Sequence, residues 1–225
     1  IEELAAMIGA TAKTYFRLGF GFTRNRNGAV AMHSAFCVAT VCGAWAHAGG
    51  GAFHSNGDIF KLNKTMIEGL DVRDPTVRVI DMSRIGPALI GDPQDLGDGP
   101  PITAMLIQNT NPMNVAPDLN KVRQGFARED LFVCVHEQFM TSTARYADIV
   151  LPATTFLEHD DMYTSYGQTY LQVSRSVISR WGESRSNHEV LCALAERLGL
   201  AHEGFELSEW EIIDRTLRAS NMPNA

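Results

Sequence analysis

Two short apolar runs mark the second half of the chain, at residues 105–107 and 131–135. Each run has the length and composition of a strand that is fully buried. Between them, Leu119, Val122 and Phe126 recur at the spacing of one helix face. The order strand, helix, strand predicts a right-handed crossover, with the two runs as adjacent central strands of a mostly parallel sheet.

The first 41 residues also alternate between helix and strand patterns. Apolar spacing predicts an amphipathic helix over residues 1–12, a short strand over 15–19 and a helix over 29–41. The loop before the last of these contains Arg24 and ends at Gly28. Such a loop can cradle a phosphate, because glycine lets the backbone approach and a helix N-terminus favours an anion. A solvated turn explains the same residues without a ligand.

Several shorter elements follow from local patterns. Alternating apolar residues predict short strands at residues 77–80 and 168–174, and a single helix is expected over residues 83–90. Two capping boxes, at Ser186 and Ser208, predict the starts of the last two helices. Between residues 91 and 101 the run GDPQDLGDGPP is dense in glycine, proline and aspartate, so we expect a linker there.

Composition narrows the class of protein. The 225 residues are 45% apolar and 20% charged, which is typical of an ordinary globular protein. A net charge of −7 argues against nucleic acid or an anionic membrane surface as a partner. No run approaches the ~18 apolar residues of a membrane-spanning helix, so we expect no membrane insertion of this segment.

The four cysteines do not form a recognisable metal motif. Cys37 and Cys42 have a C-x4-C spacing without a second half, and Cys134 and Cys192 lie far from them. We interpret all four as buried free thiols in a reducing compartment, which favours a cytoplasmic location. We expect neither a zinc site nor an iron–sulfur site in this segment, and no metal-ligating residue.

Polar residues follow both of the predicted central strands, and they are the candidate site. The set comprises Asn109, Thr110, Asn111, Pro112, Glu137, Gln138 and Thr141. In open parallel sheets the carboxyl ends of the strands are where ligands bind. Glu137 can accept hydrogen bonds from a base or an amine, and Thr141 can reach the same group, so a guanine edge is a suitable ligand. A capping turn without a ligand explains residues 109–112 when they are taken alone.

The run from residue 137 to residue 158 reads E-Q-F-M-T-S-T-A-x-x-A-D-I-V-L-P-A-x-x-F-L-E. It resembles the signature of the molybdopterin oxidoreductases of the dimethyl sulfoxide reductase family, which bind two molybdopterin guanine dinucleotides around one molybdenum. The glycine loop, with Gly43, Trp45 and residues 49–51, resembles the same family. The sequence departs from many members at Arg24 and Asn25, where they have Gln-His, and at His33, where they have Arg.

The resemblance implies a doubly wound, mostly parallel α/β sheet with helices on both faces, of the formate dehydrogenase and dimethyl sulfoxide reductase type, preceded by part of a second α/β domain. We expect residues 1–91 to be the C-terminal part of a cofactor-binding domain, residues 92–101 a linker, and residues 102–225 the domain that binds molybdopterin guanine dinucleotide. The resemblance also implies a guanine dinucleotide against the 109–112 turn and Glu137. Arg24 and Gly28 belong to the same candidate set.

Function is expected to come from a longer enzyme of which this chain is an interior segment. No catalytic constellation is present in the sequence, so we predict cofactor binding rather than catalysis by side chains, and no turnover by the segment alone. The implied partners are the remainder of the molybdoenzyme and electron-transfer subunits. An iron–sulfur cluster is compatible with the parent protein but is not expected to bind to this segment.

Two functional hypotheses stay open from the sequence. One is a cofactor-binding segment that supports oxygen-atom or electron transfer at molybdenum. The other is a nucleotide-binding or scaffolding module that stands alone and has no redox activity, because fold analogy does not determine function. The substrate is also open, since formate, nitrate, sulfoxides, thiosulfate and arsenite are all handled on the scaffold that the sequence resembles.

Overall fold

The structure is a computed structural model that describes residues 1–23, 26–57, 59–164 and 166–220. Its contacts divide the chain into two units, one formed by Ile1–Phe60 with Thr164–Leu171 and the other by Lys61–Tyr163 with Gln172–Ala225. Arg24, one of the candidate site residues, lies outside the described residues.

The first unit contains a small parallel sheet and one long helix. Its elements are α1 (Glu2–Ala10), β1 (Tyr15–Arg17), α2 (Phe20–Thr23), α3 (Gly28–Val41) and β2 (Gly51–Phe53), with a 3-10 turn at Ala44–Ala46. Strands β1 and β2 pair in parallel, with Tyr15 opposite Gly51. Ala39, Ala44 and Ala52 are buried in its core, against Phe16 and Phe36. Small core residues allow the helix to approach the two-stranded sheet closely.

The second unit contains the remaining elements. They are α4 (Thr65–Glu68), α5 (Ile85–Leu89), α6 (Pro93–Leu96), β3 (Ala104–Gln108), α7 (Pro112–Val115), α8 (Leu119–Phe126), β4 (Phe132–Glu137), β5 (Ile149–Pro152), β6 (Asp161–Tyr163), β7 (Gln172–Ser174), α9 (Asn187–Leu198) and α10 (Glu209–Ala219), with 3-10 turns at Met82–Arg84, Ala144–Tyr146 and Glu203–Phe205. The α/β class with parallel strands and helices that the sequence predicts is confirmed.

The two buried apolar runs are adjacent strands of one parallel sheet, as predicted. Strand β3 pairs with β4, with Ile107 opposite Val135, and β5 pairs in parallel on the other side of β4. The predicted strand at residues 168–174 is shorter, and as β7 it pairs antiparallel with β6 in a separate hairpin. The carboxyl ends of the three parallel strands therefore lie at the same edge of the sheet, and the candidate site residues follow two of these strands.

One face of this sheet is covered by α5, α7 and α8. Val133 and Val135 are each 1% exposed, and they belong to a core that includes Leu89 and Val122, which are fully buried. Burying an aliphatic side chain of this size stabilises a fold by about 1.5–3 kcal/mol. On the opposite face Leu106, Phe132 and Ile149 are exposed. The buried face thus holds the strands in register, and it fixes where their carboxyl ends lie.

Helices α5 and α8 pack unusually close together because each carries a glycine at the contact. A Cβ atom on Gly125 would overlap the Leu89 side chain, and one on Gly86 would lie 2.9 Å from the backbone nitrogen of Val122. A larger residue at either position must push the helices apart. The glycines therefore set the distance between the helices that cover the sheet.

Residues 92–101, predicted as a linker, lie inside the second unit, and the division between units falls after residue 60 instead. Asp92 caps α6 by accepting from the backbone N–H of Gln94. Arg84 holds Asp95 through two hydrogen bonds of 2.8 and 2.9 Å and contacts Asp92 at 3.2 Å. Long-range arginine contacts order a segment whose composition alone indicates a linker. The assignment of separate cofactor roles to residues 1–91 and 102–225 stays a prediction.

Residues 77–80 do not form the predicted strand. Val77 and Val79 are 62% and 76% exposed, so the alternating pattern there does not face a core. The Arg78 guanidinium between them donates hydrogen bonds to the carbonyls of Pro100 (2.6 Å) and Leu96 (3.2 Å). Contacts of the Arg78 side chain with residues 92–101 thus take the place of the strand pairing that the pattern predicts.

The cysteines are less buried than expected. Cys37 and Cys42 are exposed, whereas Cys134 and Cys192 are half-buried, and all four are free thiols. Desolvation raises the pKa of the Cys134 thiol. Within the described ranges, no helix is long and apolar enough to cross a membrane.

Candidate functional site

Three strand ends meet at the carboxyl edge of the parallel sheet. Strand β3 ends at Gln108 and β4 at Glu137, and Gln108 pairs with His136 in the register. Strand β5 ends at Pro152, which lies opposite Glu137. The turn at residues 109–112 and the loop after Glu137 therefore leave the sheet side by side. The structure brings together most of the candidate residues at this edge, but they point in different directions.

The Asn111 side chain joins the turn at residues 109–112 to the loop after β4, so it is used inside the protein. Its Oδ1 atom accepts hydrogen bonds from the Thr143 hydroxyl (2.7 Å) and from the Thr143 backbone N–H (3.2 Å). The Thr143 hydroxyl in turn accepts from the backbone N–H of Met113 at 3.1 Å, and the Thr143 side chain is fully buried. Pro112, the first residue of α7, is also buried. This part of the turn positions the edge.

Gln138 and Thr141 also have internal partners. The Gln138 Nε2 atom donates to the carbonyl of Thr154 at 2.9 Å, which ties the end of β4 to the chain beyond β5. The Thr141 hydroxyl oxygen accepts from the backbone N–H of Ala144 at 3.1 Å and so begins the 3-10 turn there. The Thr141 O–H proton stays available to donate. Gln138 is therefore a positioning residue, whereas Thr141 retains one function for a ligand.

Asn109 lies in the left-handed backbone region, with φ of 57°. Asparagine tolerates this conformation better than most residues with a side chain, and such outliers cluster at ligand sites. Its Oδ1 atom is 3.4 Å from Nδ2 of Asn187, the first residue of α9. Thr110, which follows, is exposed. The turn consequently presents polar groups from residues 109 and 110 and from the start of α9.

Glu137 is the charged group of the edge. Its Oε1 atom accepts from the backbone N–H of Gln138 at 2.7 Å, and the side chain is half-buried. The second carboxylate oxygen has no hydrogen bond to any residue that the structure describes. It is therefore able to accept a hydrogen bond from a ligand, and the assignment of Glu137 to the cofactor site stays a prediction.

His136 was not singled out as a site residue, yet it directly precedes Glu137 in β4 and is 1% exposed. Its Nδ1 atom is 3.2 Å from the amide nitrogen Nε2 of Gln108, and its Nε2 atom is 3.1 Å from the carbonyl of Arg185. The geometry allows Nδ1 to accept from the amide nitrogen and Nε2 to donate to the carbonyl. His136 thus links β3, β4 and the segment before α9.

The acidic stretch after β5 has a structural role. Glu158 is buried, and hydrogen bonds from the backbone N–H groups of Thr155 and Trp181 lower the pKa of its carboxyl. The Ser176 N–H, the Trp210 indole and the Arg175 guanidinium lower the pKa of Asp160 to about 2. Both carboxylates therefore accept hydrogen bonds from groups within the protein.

Gly28 belongs to the first unit, and its prediction as a cofactor residue stays a prediction. It is the first residue of α3 and is buried. A Cβ atom there would overlap the backbone carbonyl of Phe22. The loop therefore requires glycine at this position for a close approach of backbone to backbone.

Sequence reasoning missed Thr143, His136 and Asn187 as contributors to the edge. The signal for Asn187 was its place directly after the capping serine of α9, since both capping boxes form as predicted. No local pattern identifies the contacts of His136, because its partners Gln108 and Arg185 are distant in sequence.

The profile of the molybdopterin oxidoreductases matches residues 6–197. The chain belongs to this family. Over 225 residues it is 40% identical to the probable oxidoreductase YoaE of Bacillus subtilis (strain 168), covering 100% of this chain and 32% of that protein. It is 26% identical over 226 residues to biotin sulfoxide reductase of Cereibacter sphaeroides, covering 93% of this chain and 30% of that protein.

A shorter match joins the chain to a dimethyl sulfoxide/trimethylamine N-oxide reductase of Rhodobacter capsulatus, at 32% identity over 131 residues, covering 57% of this chain and 16% of that protein. Among solved structures, acetylene hydratase from Pelobacter acetylenicus aligns with 62% of this chain and 19% of its own, at 24% identity and a TM-score of 0.49. The chain thus spans about a third of the length of YoaE and of biotin sulfoxide reductase.

Membership of this family implies a molybdenum–pterin cofactor. No group of three or more His, Cys, Asp or Glu side chains suited to a metal is present among the residues that the structure describes. The sheet edge offers hydrogen-bond donors and acceptors from Asn109, Glu137 and Thr141.

Proposed function

We propose that this chain binds the guanine end of a molybdopterin guanine dinucleotide, as a segment of a molybdenum-dependent oxidoreductase. The observation that carries the proposal is made at the carboxyl edge of β3 and β4. One carboxylate oxygen of Glu137 has no hydrogen bond within the described part of the chain, and the left-handed turn at Asn109 follows the neighbouring strand. This is where open parallel sheets bind nucleotides.

The chemistry of the edge suits a guanine base. Guanine presents an N–H and an amino group side by side, and a half-buried carboxylate oxygen is a strong acceptor for both. The Thr141 O–H donates to an acceptor of the same ligand, and the amides of Asn109 and Asn187 supply further donors and acceptors. Asn111, Gln138 and His136 hold these groups in place through their internal hydrogen bonds.

The molybdenum–pterin group supplies the redox chemistry when it is bound. In this proposal the polar side chains of the sheet edge bind and orient the nucleotide end of the cofactor. We propose that the enzyme of which they are part performs oxygen-atom or electron transfer, and that residues 1–225 by themselves have no turnover. A cytoplasmic location, electron-transfer subunits as partners and an iron–sulfur cluster outside this segment are likewise proposals.

The test is calorimetric titration of the 225-residue chain with guanosine monophosphate. Glu137→Gln removes the negative charge and can place an amide N–H donor opposite the N–H donors of the base. Binding of guanosine monophosphate should weaken roughly ten- to a hundredfold, because a buried donor left unpaired costs about 1–3 kcal/mol. Glu129→Gln is the matched control, since Glu129 is an exposed glutamate shortly before the start of β4. That control should bind as the wild type does.

Equal affinity of the Glu137→Gln and Glu129→Gln variants would show that Glu137 is a solvated strand-end residue. A wild-type chain that binds adenosine monophosphate as tightly as guanosine monophosphate would contradict the guanine assignment. In full-length enzyme the same substitution should lower the guanosine monophosphate released by acid hydrolysis, a readout that needs no activity.

A further inference from the structure

A groove of about 650 Å³ lies in the first unit, and its lining residues are not part of the candidate set at the sheet edge. It is lined by Phe20, His54, Ser55, Asn56, Gly57 and Ile59. Pockets that bind small organic ligands have volumes of about 300–1,000 Å³ and combine apolar walls with a few polar groups. The groove has this composition, since its lining combines the apolar side chains of Phe20 and Ile59 with an amide and a hydroxyl.

His54 leaves one polar atom of the groove unsatisfied. Its Nε2 atom is buried and has no hydrogen-bond partner among the residues that the structure describes. The edge of one ring meets the face of the other between Phe20 and His54, with ring centres 5.0 Å apart and an interplanar angle of 81°. A buried ring nitrogen without a partner is rare in a native protein, and a missing ligand is one of its explanations.

Arg17 contacts the aromatic residues beside the groove. Its guanidinium lies 5.1 Å from the ring centre of Phe53 and 5.8 Å from that of Tyr166. It also donates to the backbone carbonyl of His54 at 2.5 Å. Tyr166 stacks on Phe20 with 11° between the rings and 6.5 Å between their centres. The His54 imidazole therefore lies next to a set of aromatic rings that contact one another.

We propose that this groove binds a planar heteroaromatic ring, whose polar edge forms a hydrogen bond with Nε2 of His54 while its face packs against Phe20. Such a ring buries apolar surface and satisfies the unpaired nitrogen together. The proposal rests on the proposed function only in choosing a pterin as the first probe. A free purine is the other ligand class that has a planar heteroaromatic ring with a polar edge.

The first experiment titrates the 225-residue chain with neopterin and follows the fluorescence anisotropy of the ligand. His54→Phe keeps an aromatic ring against Phe20 but removes the ring nitrogen, and it should bind neopterin about tenfold more weakly. His54→Gln places a polar amide near the position of Nε2 and should recover part of the affinity. Without ligand, His54→Phe should unfold at the same or a higher temperature than the wild type, because it removes an unpaired buried polar atom.

Two further measurements complete the test. Neopterin should shift the ¹⁵N resonance of Nε2 in His54 of the wild-type chain, which keeps the test valid if a variant folds poorly. Guanosine, used in competition, distinguishes the sources: displacement of neopterin at equal concentration assigns the groove to purines as well, whereas no displacement assigns it to pterins.

Unchanged neopterin affinity of His54→Phe, or an Nε2 resonance that does not move, would overturn the proposal. Failure of the proposed function gives a different pattern. In that case Glu137→Gln leaves the binding of guanosine monophosphate unchanged while His54→Phe still weakens neopterin. Each substitution should affect its own ligand alone if both proposals are correct.

Discussion

Replacing Thr143 by valine tests whether hydrogen bonding or packing holds the candidate edge together. Thr143 is fully buried, and its hydroxyl donates to Asn111 and accepts from the backbone N–H of Met113. Valine has nearly the same shape but no hydroxyl. It therefore leaves the Met113 N–H without an acceptor inside the protein.

The expected loss can be worked from these contacts. A buried donor left unpaired costs about 1–3 kcal/mol, and the lost bond to Asn111 adds about 0.5–1.5 kcal/mol, so the free energy of unfolding should fall by roughly 1.5–4.5 kcal/mol. Thr143→Ser keeps both bonds and removes one methyl group, which costs about 1 kcal/mol. Valine should thus be worse than serine, although it is the more apolar residue.

The assay is urea unfolding followed by circular dichroism, with hydrogen exchange to locate the effect. Exchange should become faster in peptides that contain Met113 and Thr143, and stay unchanged in α10. A Thr143→Val variant that is more stable than Thr143→Ser would refute the reasoning, because packing would then outweigh the two hydrogen bonds. Combining Thr143→Val with Asn111→Ala should give a loss smaller than the sum, since the two residues share one network.

Two other predictions follow from the fold. Gly125→Ala should lower the free energy of unfolding by about 1–3 kcal/mol, because a methyl group at this position overlaps Leu89 and must separate α8 from α5. The control is Ala127→Gly, a change of the same size at an exposed position. Gly97→Ala does not serve as a control, because the φ angle of Gly97 is positive. The Asp160 carboxyl has its pKa lowered from 3.8 to about 2 in the folded protein, so the stability it contributes is complete above pH 4 and is lost as the pH falls toward 2. Urea unfolding of wild type and Asp160→Asn should therefore show a stability gap that shrinks over this range, and a constant gap would contradict the assigned contacts.

The sequence predicts the parts of the fold that local pattern determines. The buried runs of β3 and β4 are adjacent parallel strands, and both capping boxes form with their serine and glutamate partners. Asp118 directly precedes α8, but it has φ of 56° and its side chain makes no capping hydrogen bond. The apolar spacing of α8 therefore predicts the helix, whereas it does not predict the backbone conformation of the residue before it.

Where long-range contacts decide, sequence patterns mislead. The segment at 92–101 has the composition of a linker, but Arg84 and Arg78 bind its carboxylates and carbonyls and draw it into the second unit. Arginines distant in sequence carry no local signal of their partners. For the same reason the alternating residues at 77–80 suggested a strand that the structure replaces with side-chain contacts.

The candidate site shows the same limit at the level of single side chains. A sequence identifies polar residues at strand ends, but it does not show which of them form hydrogen bonds inside the protein. Asn111 and Gln138 use acceptors or donors in internal hydrogen bonds, whereas one oxygen of Glu137 has no partner among the residues that the structure describes. The two classes should separate by experiment, because Thr143→Val, which releases Asn111, should lower both stability and nucleotide binding. Glu137→Gln should lower binding while leaving the free energy of unfolding within about 0.5 kcal/mol of the wild type, as for a substitution without a buried partner.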